Sequence, residues 1–276
     1  MFYSGDPQAS PAQDRFMEIL ITNDDGIYAD GIYALYTALR KTANVTVVAP
    51  DVQRSAVGHA ITLTDPLRVT EARRRGKFFG YATSGTPADC VKLAIRAIMK
   101  KKPDLVFSGI NLGANLGYNV LYSGTVSGAT EGALFGVPSI AISLTTFIKP
   151  DFSRAAAFAV RLAGLARSLP PGALLNVNVP AVPAGRIRGV SITRQSHTLF
   201  KDRFDKRTDP HGQTYYWLTG SLDQKDAAPD SDVAAVNGGR ISITPLQFDL
   251  TDFKFAAELK NWEFRRKSRV KECASR

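Results

Sequence analysis

The chain has 276 residues, of which 44% are apolar and 22% are charged, and this suits one large globular domain or two modest ones. No stretch approaches the roughly 18 consecutive apolar residues that a membrane span needs, so we expect no membrane association. The net charge of +10 would favour nucleic-acid binding if it lay along one face, but it is concentrated in a few segments.

The N-terminal segment, residues 1–14, has neither the basic nor the apolar region of a secretory signal. We expect it to be a disordered extension. The two cysteines, Cys90 and Cys273, form neither a disulfide framework nor a metal-binding spacing, and the chain is therefore predicted to be cytoplasmic. The rest is predicted to form one domain over residues 15–255 and a basic helix or tail over residues 256–276.

A short apolar strand over residues 18–23 ends abruptly at Asp24, Asp25 and Gly26, because aspartate and glycine are poor strand residues. In an open α/β sheet, ligands bind in the crevice outside the carboxyl ends of the strands. Two adjacent carboxylates repel each other there unless a cation or a proton compensates them. The pair predicts a divalent metal site. The alternative is a turn whose acids cap the helix that begins near Asp30.

Apolar strands alternate with amphipathic helices, and this pattern predicts right-handed βαβ units. We therefore expect an α/β protein with a Rossmann-like, mostly parallel sheet flanked by helices. The predicted strands cover 18–23, 44–49, 104–108, 138–144 and 173–178, and the predicted helices cover 30–41, 86–101, 125–136 and about 151–167. Residues 61–70 and 77–83 are predicted to form an antiparallel pair joined by an arginine-rich turn.

Two of the loops that follow the strands carry candidate ligands. The glycine-rich loop 109–124 holds Asn111 and Asn115, whose amide oxygens are suitable hard ligands for Mg²⁺, Mn²⁺ or Ca²⁺. The loop after the second strand holds Arg54 and Ser55, and the residue types alone do not favour one of these two over the other.

The stretch from Tyr122 to Thr125 immediately precedes a predicted helix. Hydroxyls and free backbone N–H groups at a helix N-terminus form an anion site, for which phosphate is the obvious ligand. A metal beside that site suggests phosphoryl hydrolysis or transfer. Because Asp24 and Asp25 are adjacent, and not separated by one residue as in haloacid-dehalogenase-type enzymes, water is favoured as the nucleophile over a covalent aspartyl intermediate.

Other catalytic classes lack their sequence motifs. Neither GxGxxG nor GxxxxGK[ST] occurs, so a dinucleotide site and a P-loop are not supported. There is no GxSxG elbow, and His59, His197 and His211 occupy unrelated polar stretches. Each histidine is more often a surface or structural residue than a catalytic one.

After residue 188 the pattern is less regular. Strand 188–194 is followed by a charged stretch and the aromatic strand Tyr215-Tyr216-Trp217. Such an excursion, over about residues 195–217, is more often an oligomerisation hairpin than part of an active site. The alternative is that this arm folds back on its own domain. A strand over 240–245 and a helix from about 251 complete the pattern.

The end of the chain is strongly basic, since residues 254–276 hold eight Lys or Arg against three Glu. A solvated charged surface is the usual explanation of such a run. An RNA-binding module that uses this tail is the alternative function, although we do not expect nucleic-acid binding.

Six separated stretches resemble the SurE (survival protein E) nucleotidase family, and they recur in the same order over roughly residues 18–252. They are Ile21–Gly26, Ala49–Asp51 with Arg54-Ser55, Gly85–Val91, Ser108–Asn111 through Asn115–Gly117, Tyr122–Val126, and Ser242–Leu246. The resemblance implies a metal-dependent phosphatase of nucleoside 5′- and 3′-monophosphates, with some members also trimming polyphosphate. It also implies homodimers or homotetramers built by exchange of C-terminal arms.

The resemblance also implies roles for individual residues. One divalent metal ion per subunit, Mg²⁺ or Mn²⁺, would be held by Asp24, Asp25, Ser55 and Asn111, and Asp24 and Asp25 would be the catalytic residues. Phosphate and substrate contacts would come from Asn23, Asn115, Ser123, Gly124 and Thr125. The first 14 residues and the basic tail have no counterpart in the family pattern, and His59 stands where relatives commonly carry a small polar residue.

Overall fold

The computed structural model describes residues 16–198, 200–222 and 228–262. The strands are β1 Met17–Thr22, β2 Ala43–Pro50, β3 Val69–Arg74, β4 Lys77–Thr83, β5 Leu105–Leu112, β6 Ser139–Leu144, β7 Leu174–Val179, β8 Val190–Ile192, β9 Phe200–Thr208, β10 Thr214–Leu222 and β11 Ile241–Leu246. The α-helices are α1 Asp30–Leu39, α2 Pro87–Leu93, α3 Gly124–Leu134, α4 Ser153–Leu165, α5 Asp232–Asn237 and α6 Phe253–Leu259.

The main sheet has the order β3-β4-β2-β1-β5-β6-β7-β11-β8. Neighbouring strands from β4 to β7 are parallel, whereas β3 is antiparallel to β4 and β11 is antiparallel to β7. The chain runs outward from β1 to β2 and later returns to β5 on the other side of β1, so the strand order reverses between β1 and β5. A reversal of this kind opens a crevice at the carboxyl ends of the two strands. The predicted Rossmann-like fold is confirmed.

Helices cover both faces of the sheet, because the central strands are apolar on both sides. On one face Ile21, Phe107 and Ile142 are fully buried in a cluster that includes Leu35 of α1 and Phe158 of α4. On the other face a second cluster contains Leu20, Val106 and Cys90. Each large apolar side chain buried in this way adds about 1.5–3 kcal/mol to the free energy of unfolding. The ends of the central strands are therefore held by a well-packed core.

Two predicted elements differ from those observed. The antiparallel pair begins at Val69 and not at residue 61, because the N–H and hydroxyl of Thr62 bond to Asp89 and not to a neighbouring strand. The helix predicted over 86–101 is shorter: α2 is capped by Thr86, continues as a π-helical turn over Ala94–Ile98, and ends where Met99 becomes extended. The predicted end of this helix at residue 101 is therefore wrong.

The predicted excursion is an antiparallel hairpin, β9 and β10, whose strands pair over nine residues in a sheet of their own. Its second strand extends to Leu222, beyond the predicted limit at residue 217. Large side chains are exposed on both faces, including Phe204, Tyr216, Trp217 and Leu218.

The chain divides into two compact units, Met1–Leu246 and Gln247–Arg276. In the described part of the second unit, α6 is capped by Asp252, whose side chain accepts the Phe255 N–H. Residues 1–14 and most of the basic tail lie outside the described residues, so the expectations for those segments and the predicted domain limits stay predictions. None of the described helices combines the length and the apolar character needed to cross a membrane.

Candidate functional site

Asp24 lies just beyond β1, at the strand-order reversal, and is almost wholly buried. The Thr125 hydroxyl donates a hydrogen bond to its Oδ1, and the Arg54 N–H donates to its backbone carbonyl at 2.7 Å. Burial, opposed by the hydrogen bond from Thr125 and aided by the neighbouring charge of Asp25, raises the pKa of Asp24 to about 6. The carboxylate is held in one orientation in a place where its negative charge lacks compensation.

Asp25 connects the end of β1 to the end of β5. Its Oδ2 accepts the Leu112 N–H at 3.1 Å, and burial raises the pKa of this carboxyl as well. Two adjacent carboxyls with raised pKa values form a site that a cation would stabilise, because it would offset both the desolvation and the mutual repulsion.

The alternative in which these acids cap α1 is wrong. The N-cap residue of α1 is Ala29, and no side chain caps the helix. The turn after β1 is instead closed by Asn23, whose Nδ2 donates to the Gly26 carbonyl at 2.9 Å. Within the described residues, the buried Oδ1 of Asn23 has no hydrogen-bond partner.

The N-terminus of α3 closes on Asp24. A Cβ atom added to Gly124 would lie 2.7 Å from Cβ and 3.0 Å from Oδ2 of Asp24, so only glycine allows this approach. Ser123 is the N-cap residue, and its hydroxyl accepts the Val126 N–H at 3.1 Å. The Thr125 hydroxyl is already hydrogen-bonded to Asp24. The partial positive charge of the helix end therefore faces the buried carboxylate and any anion beside it.

Ser55 and Arg54 are distinguished by where their side chains lie. The Arg54 guanidinium reaches away to donate to the Ser84 carbonyl at 2.9 Å. The Ser55 hydroxyl, in an exposed residue, accepts from Nε2 of Gln53 at 2.8 Å. Because the Arg54 N–H donates to the Asp24 carbonyl, Ser55 follows directly on a residue that contacts the end of β1.

The two asparagines of the glycine-rich loop have different environments. Asn111 lies at the end of β5 and donates from Nδ2 to the Gly113 carbonyl at 2.8 Å, which leaves its amide oxygen as the atom suited to a cation. Asn115 is buried in a polar network: its Nδ2 donates to the Ser143 hydroxyl at 2.9 Å, and its backbone carbonyl accepts from Asn176 and Asn178. These contacts support the loop from β6 and β7, and sequence reasoning did not single them out, although Asn176-Val177-Asn178 is an unusually polar stretch for a buried strand.

The loop after β2 is held in place by two buried carboxylates, Glu131 and Asp89, which the sequence did not connect to it. Nε2 of His59 lies 2.9 Å from Oε2 of Glu131, and Nζ of Lys92 lies 3.1 Å from Oε1. Burial alone would raise the pKa of Glu131, but the hydrogen bonds from His59 and Lys92 outweigh it and hold this pKa below its ordinary value. Asp89 likewise accepts the Thr62 N–H and hydroxyl. His59 is thus a structural residue of the loop that carries Ser55.

The donor set at the edge suits a hard cation. Among the described residues, no group of three or more His, Cys, Asp or Glu side chains could hold a metal. Asp24 and Asp25 instead contact the backbones of Arg54 and Leu112, which are the sequence neighbours of Ser55 and Asn111. Carboxylate, amide and hydroxyl oxygens suit Mg²⁺ or Mn²⁺ better than zinc. A cavity of about 620 Å³ lies elsewhere, beside Met17, Ala43 and Val160, and none of the predicted site residues lines it.

The fold and the edge define a Rossmann-like α/β protein with a carboxylate site at the strand-order reversal, beside a helix N-terminus. The family model described as Survival protein SurE matches residues 19–202. The 5′-nucleotidase SurE of Syntrophobacter fumaroxidans is 53% identical over 248 residues, 89% of this chain and 99% of that protein. The 5′-nucleotidase SurE of Moorella thermoacetica is 52% identical, over 88% of this chain and 95% of that protein.

A solved structure agrees with these sequence relatives. The SurE protein from Aquifex aeolicus superposes with a TM-score of 0.77 at 41% identity, over 88% of this chain and 98% of that one. The chain belongs to the SurE family.

Proposed function

We propose that this chain is a nucleotidase that hydrolyses nucleoside 5′-monophosphates, and also the 3′ isomers, to nucleoside and phosphate. The observation that carries the proposal is the contact of α3 with Asp24: Gly124 lets the helix N-terminus approach the carboxylate, and Thr125 holds it. A carboxylate that can bind a cation therefore lies beside a helix N-terminus that can bind an anion, and a phosphomonoesterase needs both. The relatives named 5′-nucleotidase SurE support the same activity.

Nucleotidases of the SurE family are metal-dependent. In this chain Asp24, Asp25, Ser55 and Asn111 would hold one divalent ion per subunit, Mg²⁺ or Mn²⁺. The ion would lower the pKa of a bound water and offset charge on the phosphoryl oxygens. Asp24 and Asp25 are the proposed catalytic residues, and the hydrogen bonds from Thr125 and Leu112 keep their oxygens in place.

The phosphate group would lie at the N-terminus of α3. The backbone N–H groups of Gly124 and Thr125 have no partner within the helix by their position in its first turn, and N–H groups there suit phosphoryl oxygens. The Thr125 N–H also hydrogen-bonds to Asp24, so it would serve the carboxylate and the phosphate together. The Ser123 hydroxyl caps the helix and can donate its own proton to the same anion. Asn23 and Asn115 are the further proposed contacts, and each has an amide at this edge.

Phosphate release from a panel of nucleotides tests the function. Protein stripped with chelator should release no phosphate from 5′-AMP, and Mg²⁺ or Mn²⁺ should restore release. 3′-AMP, run beside 5′-AMP, measures the preference between the isomers. A chain that releases no phosphate from any nucleotide with any of these metals is not a nucleotidase.

The proposed assembly is a homodimer or homotetramer formed by exchange of the β9–β10 hairpin. Support comes from its composition: aromatic side chains such as Tyr216 and Trp217 are exposed beside Arg203 and Lys206, and interface cores are enriched in aromatic residues and arginine. A two-stranded hairpin is only marginally stable alone in water, so packing on another surface would stabilise it.

We also propose a cytoplasmic location, which cell fractionation would test.

A further inference from the structure

Phe147 lies in the segment that joins β6 to α4. Because β6 is parallel to β5, the carboxyl ends of both strands are at the same edge of the sheet, and Phe147 follows β6 as Asn111 ends β5. Its side chain is 78% exposed. A phenylalanine exposed to this extent contributes little to the core, so its position needs another reason.

The ring rests on the glycine-rich loop beside the proposed metal ligands. A Cβ atom added to Gly113 would lie 2.4 Å from both Cε1 and Cζ of Phe147, so the ring contacts a bare backbone. Gly113 also has a φ of +113°, which other residues rarely adopt. The Gly113 carbonyl accepts from Asn111, and the preceding Leu112 N–H donates to Asp25. The ring therefore contacts a glycine whose carbonyl bonds to Asn111 and whose preceding residue bonds to Asp25.

The backbone beneath the ring is fixed. The Thr145 N–H donates to the Val179 carbonyl at 3.0 Å, and the Thr146 N–H donates to the Leu144 carbonyl at 2.8 Å. The Thr146 hydroxyl accepts the Ile148 N–H at 3.1 Å. Phe147 thus lies in a turn that is fixed by hydrogen bonds, with most of its side chain open to solvent beside Gly113.

We propose that Phe147 is the platform on which the base of the nucleotide substrate stacks, an inference that rests on the proposed nucleotidase function. A nucleobase offers a π-face whatever its identity, so stacking on one aromatic ring strengthens binding without selecting among bases. Phe147 therefore distinguishes nucleotides as a class from phosphomonoesters that have no base. The phosphate is bound by other residues, so removal of the ring weakens binding and leaves the chemical step intact.

Kinetics with and without a base on the substrate test the platform. For F147A we expect the KM for 5′-AMP to rise about tenfold with kcat within about twofold, and the KM for ribose 5-phosphate to stay unchanged. I148A is the matched control, because Ile148 is the next residue and is equally exposed at 77%. It should leave both KM values unchanged. Equal effects of F147A on both substrates, or an equal effect of I148A, would overturn the proposal.

A binding measurement separates failure of the platform from failure of the proposed function. In F147W the added indole should be quenched by 5′-AMP in a saturable way and not by ribose 5-phosphate, whether or not phosphate is released. If the wild-type chain hydrolyses no nucleotide, the proposed function fails; if it does hydrolyse 5′-AMP but F147W shows no base-dependent quenching, the platform fails. A light-scattering mass that falls in F147A with an unchanged KM would mean that a second copy of the chain covers the ring, and would also overturn the platform.

Discussion

The strand-end edge and the β9–β10 hairpin satisfy their side chains in opposite ways. At the edge, the two carboxylates are hydrogen-bonded within the chain: Asp24 to the Thr125 hydroxyl, and Asp25 to the Leu112 N–H. In the hairpin the two backbones bond to each other, while Tyr216 and Trp217 on opposite faces remain exposed. The edge holds its carboxylates in fixed positions, whereas the hairpin exposes aromatic side chains of the kind that protein interfaces enrich. If the two regions are independent, a change in one should leave the properties of the other intact.

The largest loss of activity should follow from Gly124→Ala. The new Cβ would lie 2.7 Å from Cβ of Asp24, so the helix end and the carboxylate must separate. We expect kcat/KM for 5′-AMP to fall at least about a hundredfold, because several kcal/mol of charge stabilisation depend on this contact. Gly164→Ala in α4 is the control, since its Cβ would meet no atom within 4 Å. A G124A enzyme with normal kcat/KM would show that the contact is incidental.

Replacing residues 200–222 with a short Gly/Ser linker should convert the assembly into a smaller one. Light scattering of the intact chain should give the mass of a dimer or tetramer, because the exposed aromatic side chains of the hairpin need a second surface. The variant should have a lower mass and should still bind metal. A monomeric mass for the intact chain, or an unchanged mass for the variant, would refute the proposed role of the hairpin.

Glu131→Gln should reduce stability by about 1–2 kcal/mol, because it removes a charge that His59 and Lys92 both contact. The folded-state pKa of Glu131 lies below its ordinary value of 4.5, so its contribution is present above that pH and is lost as pH falls through the folded-state pKa. Denaturation by urea at pH 7 and at pH 4 should show a smaller difference between variant and wild type at the lower pH.

The exposed pair of Arg73 and Glu71 supplies the control for that experiment. Glu71→Gln should change stability by less than about 0.5 kcal/mol at either pH, since exposed pairs contribute little. If E131Q and E71Q behave alike, or if the E131Q difference grows in acid, Glu131 does not brace the loop that carries Ser55.

The smallest effect is expected from truncation of the basic tail. Deleting residues 261–276 should change turnover of 5′-AMP by less than about twofold, because the proposed site is built from loops after the parallel strands. A tenfold fall, about 1.4 kcal/mol in transition-state stabilisation, would mean that the tail reaches the substrate. Strong, salt-dependent RNA binding that is lost on truncation would instead favour the alternative function.

The order of strands and helices was predictable because the parallel strands are continuous apolar runs, and strand ends could be located from Asp24 and Asp25. Local pattern failed where a distant group competes for the backbone. Residues 61–68 were predicted as part of a strand, but Asp89, 27 residues from Thr62 along the chain, accepts the N–H that a strand would use. No local signal connects these two positions.

The candidate site, like the fold, was predictable where residue type alone was informative and not where distant residues interact. Residue type pointed to Asp24, Asp25 and Asn111, whereas Ser55 was preferred to Arg54 only through the family resemblance. The different directions of the two side chains have no signal in the local sequence. The link from His59 to Glu131 spans 72 residues and has no sequence signature. Phe147 could not be found from sequence either, since its position depends on contact with the bare backbone of Gly113.

The central claim, that Asp24 and Asp25 form a metal site, is tested most directly by the melting temperature of chelator-treated protein with and without Mn²⁺. A ligand that binds only the folded state at 100 times its Kd stabilises it by about 2.7 kcal/mol, so the wild type should melt several degrees higher with metal. Asp25→Asn should lose most of this shift, because a neutral amide is a weaker ligand than a carboxylate. Asp30→Asn, which changes an exposed acid paired with Arg74, should keep it. A shift in D25N equal to that of the wild type, or no shift in the wild type, would contradict the account.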